Sequence, residues 1–228
     1  MTIDQIANLM SLPIATICLF ATIKSFLIYK VSRNDIAYII GVSMSFIAIG
    51  SFVGFAGEAH IDGNNLNTEW AGSCGTCCGA LFIFLSSLVK SYTQIQQLKQ
   101  WQLVAVVLFL IVVLLTPFYP ATKSPPIALS LNAVRMIIHT STFIRYLALY
   151  LSKRTRFSLL MWIAFSMMAI GYALNIPGIL QSSLALFPII AAAVRIAAYL
   201  AMIAAYGLTT LKSESVASGR YALPRRQF

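Results

Sequence analysis

QLVAVVLFLIVVLLTPFY, residues 102–119, runs for eighteen residues without a charged side chain. A helix needs about 20 mostly apolar residues to cross hydrocarbon. In lipid the backbone must satisfy its own hydrogen bonds, so such a run is a helix. It is the shortest of seven. The others lie at roughly 7–29, 36–57, 70–90, 127–151, 157–180 and 183–211. Mean hydropathy is +0.83, and only 10% of the 228 residues are charged. A soluble domain carries about 25%. No segment alternates as an outer-membrane barrel strand does. The fold class is therefore all-α: a polytopic membrane bundle over 1–211, followed by a short basic tail, 212–228.

Charge sets the expected orientation. Lys30 and Arg33 follow span one, Lys90 and Lys99 separate spans three and four, and Lys153, Arg154 and Arg156 separate five and six. Lys212, Arg220, Arg225 and Arg226 follow span seven. The other side holds Lys123 with Asp4, Glu58, Asp62 and Glu69. Basic loops stay cytoplasmic, which places the N-terminus outside and the tail inside an inner or plasma membrane. The +10 balance is then a topology signal, and its dispersal argues against a nucleic-acid partner. MTIDQIAN, ahead of span one, has no Lys or Arg, so span one is expected to remain as a membrane helix.

The chain also resembles itself at an offset of 121 residues. KSFLIYKVSRN (24–34) aligns with RYLALYLSKRT (145–155), pairing Lys24 with Arg145, Tyr29 with Tyr150 and Arg33 with Arg154. Ser45, Ala48, Ile49 and Gly50 meet Ser166, Ala169, Ile170 and Gly171. The expected parallel repeats are 7–90 and 127–211, with 102–119 as a linker helix. Sites of repeat transporters lie where the halves meet, near Gly- or Pro-interrupted helices. Gly57 matches Gly178, and Pro177 in NIPGI (175–179) is expected to kink or unwind span six.

This three-plus-one-plus-three pattern resembles the sugar-exporting SWEET family and, more loosely, the microbial rhodopsins. The likeness is architectural. The Pro-Gln loop motif of the SWEET family is absent. Span seven has Arg195 and no lysine for a retinal Schiff base, which argues against a light-driven pigment.

Ionisable groups at mid-membrane are read first as functional. Lys24 and Arg145 lie near helix ends and snorkel. Arg135 and His139 share one face of span five at i, i+4 spacing, and Asn132 and Thr142 extend that face. Arg195 lies mid-way along span seven, in the same half, where spans five and seven can touch. Glu58 is the one acid near the membrane end on that side, too little for two arginines. The guanidinium fork suits carboxylate or phosphate. Arg135, His139, Arg195, Glu58 and Asn132 are therefore the expected ligand-binding residues, with Glu58 and the NIPG segment shaping the outer mouth.

WAGSCGTCCGA (70–80) holds three of the four cysteines, Cys74, Cys77 and Cys78. Its small residues suit close helix packing, along Gly72, Thr76 and Ala80 or along Gly75 and Gly79. Cys74 and Cys77 also form C-x-x-C near a helix start, a redox reading. His60 with these sulfurs has no known ligand spacing, so no metal and no cofactor are expected. AGSC (71–74), with LNAVR (131–135) further on, faintly resembles the exosortase and archaeosortase family. That resemblance implies Cys74 as nucleophile with Arg135 and His139 or Arg195 as partners, though an extra span separates the motifs. The chain carries no complete catalytic motif. The expected function is recognition of an anionic or polar small molecule in a bundle cavity, as transporter or receptor. The alternatives are a non-catalytic subunit docking a membrane partner through span three (70–90), and an outward-facing cysteine enzyme.

Overall fold

The computed structural model describes residues 6, 9–59, 68–118, 125–181 and 186–221, apart from the side chains at 57–59, 69, 117, 125 and 208–221. Seven helices are long and apolar enough to cross a membrane. They are α1 (Ser11–Ser32), α2 (Asp35–Ala59), α3 (Glu69–Leu88), α4 (Tyr92–Leu115), α5 (Pro125–Lys153), α6 (Arg156–Leu180) and α7 (Leu186–Tyr221). The connectors 33–34, 89–91 and 154–155 are so short that the helices they join lie antiparallel. They bring Arg33, Lys90 and Arg154 to one end of the bundle.

Local chemistry fixes the turns at that end. Arg33 and Arg154 are left-handed, with φ of 53° and 47°. Their N–H groups donate back to the carbonyls of Tyr29 and Tyr150, both at 2.8 Å, closing α1 and α5 with αL caps. Asn34 Oδ1 then accepts from the Ile36 N–H, and Thr155 Oγ1 from the Ser158 N–H, opening α2 and α6.

Two expectations change. The fourth helix starts at Tyr92, ten residues before the apolar run. Ser91 and Gln94 form a capping box that initiates it. Lys99 then bonds Asp35 of α2 at 2.8 Å, and Gln102 donates to the Ile39 carbonyl, also at 2.8 Å. Hydropathy alone does not see a polar first turn that is capped and paired. Nor does Pro177 unwind span six. The ring removes the donor that Ala173's carbonyl would take, yet α6 continues to Leu180, and the Gln181 N–H returns to the Pro177 carbonyl. The proline falls in the last turn, where few bonds depend on it.

The helices pack as two triplets, α1–α2–α3 and α5–α6–α7, each with its middle helix touching both neighbours. The triplets meet more lightly, through α3 with α5 and α1 with α7. α4 leans on α2 and α3. Between the triplets lies a core containing Met44, Ile47, Met161, Phe165, Met168 and Met202. A second cluster, with Ile39, Phe46, Phe82 and Phe109, binds α4 to its triplet.

The small run in α3 makes this closeness possible. A β-carbon on Gly75 would strike the Phe46 carbonyl, and one on Gly79 would stand 2.5 Å from the Ser43 carbonyl. Glycine at both positions lets α3 lie directly on the backbone of α2. Cys74 and Cys78 pack on the aromatic cluster beside it.

Candidate functional site

Arg135 is ten residues into α5 and Arg195 nine into α7, roughly 15 and 14 Å along their axes. Both helices start at the same end, so the guanidiniums share a depth. The structure brings them together chiefly through α6, which packs on both α5 and α7. Those helices flank α6, and Tyr172 of α6 stands between their arginines. Its ring centre is 5.0 Å from Arg135 Cζ and 5.3 Å from Arg195 Cζ, within cation–π range.

The remaining polar face of α5 holds this tyrosine. His139 stacks on Tyr172 at 5.1 Å and 8°, and on Phe165 at 5.8 Å. Phe165 stacks in turn on Tyr146. His139 is 2% exposed and neither ring nitrogen has a hydrogen-bond partner among the described residues. Asn132, fully buried, donates to the Tyr172 carbonyl at 2.6 Å, and Asn175 donates to Asn132 Oδ1. Thr142 bonds its own helix at the Ile138 carbonyl. Asn132 and His139 therefore touch the tyrosine rather than open space.

Open space lies on the arginine side. A cavity of about 110 Å³ is lined by Arg135, Tyr172, Arg195 and Tyr199 from α5, α6 and α7. The facing wall comes from the other triplet: Ser11 and Ile14 of α1, Gly50, Ser51 and Gly54 of α2, and Gly72 and Thr76 of α3. Both arginine Nε groups are spent on their own helices, donating to the carbonyls of Leu131 and Ala191. Their Nη groups have no partner among the described residues. Lys99 and Asp35, the one ion pair among those residues, sit at the far end of the bundle. Two cations thus border a cavity between the triplets with no described carboxylate to neutralise them.

Other expected participants fall elsewhere. The Glu58 side chain and His60 lie outside the described residues. Residues 175–179 do not line the cavity. Gly178 instead receives the ring of Pro188, 2.8 Å from where a β-carbon would stand. The four cysteines are free thiols, and none lines the cavity, although Arg135 is within electrostatic reach of Cys74 and Cys77. Arg145 donates to the Ser87 carbonyl near the end of α3, a favourable place for a cation. Tyr172 and Tyr199 were not expected at the site. Aromatic residues in apolar helices read as core, and only the adjoining Gly171 marks Tyr172 as a place of close approach. Compared with protein-family models, with curated proteins and with solved structures, the chain matches none of them.

Proposed function

We propose that this protein is a multi-pass membrane protein that binds a small anion in the cavity between its two helix triplets, as a transporter or receptor. The observation that carries the reading is the pair Arg135 and Arg195, sharing one cavity at mid-depth with their Nη groups unpartnered. Buried charge is tolerated when it is paired, and a cavity with convergent polar groups is the default binding site. An anion supplies the missing charge.

Position at a repeat interface supports the same reading. At the 121-residue offset, α2 and α6 start and end in register and are both 25 residues long. The αL caps of Arg33 and Arg154 coincide. Ser45 and Ser166 each bond a carbonyl three residues back at 2.7 Å, in Val42 and Ile163. Ile14 and Ser51 line the cavity opposite their counterparts Arg135 and Tyr172. In this reading a parallel repeat places its pseudo-axis through the cavity, and the second copy has acquired the cations. The basic connectors face the cytoplasm, so the N-terminal side of α1 is outside.

Native mass spectrometry of the protein extracted gently from its own membrane tests this. A bound small anion, lost in Arg135→Ala and Arg195→Ala variants that still fold, is the expected result. A stoichiometric protein partner and no small ligand would replace it with the subunit reading.

A further inference from the structure

We infer that the cavity recognises a dianionic phosphate group, as inorganic phosphate or a phosphate monoester. This inference rests on the anion reading above and narrows it to one chemistry.

Charge is the first ground. Two guanidiniums border the cavity, and a singly charged ligand would leave one of them uncompensated in a low-dielectric site. A phosphate monoester carries about −1.5 to −2 charges at neutral pH, because its second pKa is near 6.

Donor geometry is the second. Each arginine keeps both Nη groups for the cavity, since the Nε is already committed. Two phenols join them. Tyr172 is 2% exposed and Tyr199 3% exposed, both line the cavity, and neither hydroxyl has a partner among the described residues. Each phenol can donate to an acceptor placed in the cavity it lines. The four donor groups arrive from three helices. A carboxylate offers two oxygens in one plane, whereas a tetrahedral phosphate offers at least three, spread in space.

Size is the third. A cavity of about 110 Å³ has room for about four waters at about 30 Å³ each. That suits phosphate with a small substituent. The substituent meets Ile14, Gly50 and Gly72, a wall without charge. A phosphate monoester on a lipid headgroup presents the same chemistry as a soluble one.

The test uses the full chain in phosphatidylcholine nanodiscs, titrated calorimetrically with inorganic phosphate, methyl phosphate, acetate and succinate. A second set of nanodiscs contains phosphatidic acid. Phosphate or methyl phosphate is expected to bind at pH 8, about tenfold more weakly at pH 5, and at least tenfold more tightly than acetate. Tyr172→Phe and Tyr199→Phe are each expected to weaken binding about fivefold to tenfold. If one variant does not fold, the other and the pH comparison decide. Binding of phosphatidic acid without soluble phosphate identifies a lipid source and sustains the chemistry. Acetate or succinate binding that requires both arginines, with no phosphate binding, overturns the phosphate inference and leaves the anion reading standing. Absence of binding by every probe overturns both.

Discussion

The stem of Arg195 lies across Gly171. A β-carbon on Gly171 would stand 2.8 Å from Arg195 Cγ and 3.2 Å from the Ala191 carbonyl. The glycine on α6 therefore sets where the cation on α7 can rest. Because Cγ is near the backbone, the arginine cannot simply swing its tip aside. Gly171→Ala should lower stability by about 1–3 kcal/mol through overpacking. It should also weaken anion binding about tenfold with both arginines still present. Calorimetry on the variant checks this, and unchanged affinity would show that Gly171 does not position Arg195.

Two glycines in the other triplet should respond with opposite signs. A β-carbon on Gly79 would stand 2.5 Å from the Ser43 carbonyl and from the Ile47 side chain, and a backbone atom cannot step away. Gly79→Ala is expected to destabilise by about 1–3 kcal/mol. Gly54 has nothing within 4 Å of its added β-carbon. Gly54→Ala should stabilise by up to about 1 kcal/mol, the helix-propensity difference. Thermal unfolding of both in one detergent is sufficient, and a shift in the same direction would contradict the α2–α3 packing described.

His139 is held by stacking and by no hydrogen bond among the described residues. His139→Phe keeps the ring between Tyr172 and Phe165 and removes two buried polar atoms. Stability should be equal or higher by about 1–2 kcal/mol, with anion affinity unchanged within threefold. If affinity collapses while the variant remains folded, the imidazole has a direct role in the ligand site.

The left-handed caps offer a backbone test. A non-glycine residue in that region costs about 1–2 kcal/mol. Arg33→Gly and Arg154→Gly should each raise the unfolding free energy by up to about 1 kcal/mol, and by similar amounts if the two turns are equivalent. Arg33→Val should lower it. Chemical denaturation in mixed micelles measures all three.

Helix number was legible because hydropathy needs no partner to read. Apolar runs announce themselves, and the helices around 36–57 and 157–180 lie within a few residues of their observed limits. The start of α4 was not legible, because Tyr92 to Trp101 is polar and becomes helical through the cap at Ser91 and contacts with Asp35. Pro177 misled because its effect depends on its distance from a helix end. At the site, Arg135 and Arg195 stood out as charges in apolar surroundings. Tyr172 and Tyr199 did not, since a phenol in an apolar helix acquires its meaning from what faces it in space. Asn132 and His139 shared a face with Arg135, but helical spacing could not say that this face divides between a neighbour helix and a cavity.

The light meeting of the two triplets has a mechanical consequence. In each triplet the middle helix touches both neighbours, while fewer helix contacts cross between the triplets, beside the shared core and the cavity. Parting the triplets would uncover the core of Met44, Ile47, Phe165 and Met168 that lies between them. An anion bound as proposed, between the arginines of one triplet and the glycines and serines of the other, would span that joint. Its affinity would act as a clasp across that joint.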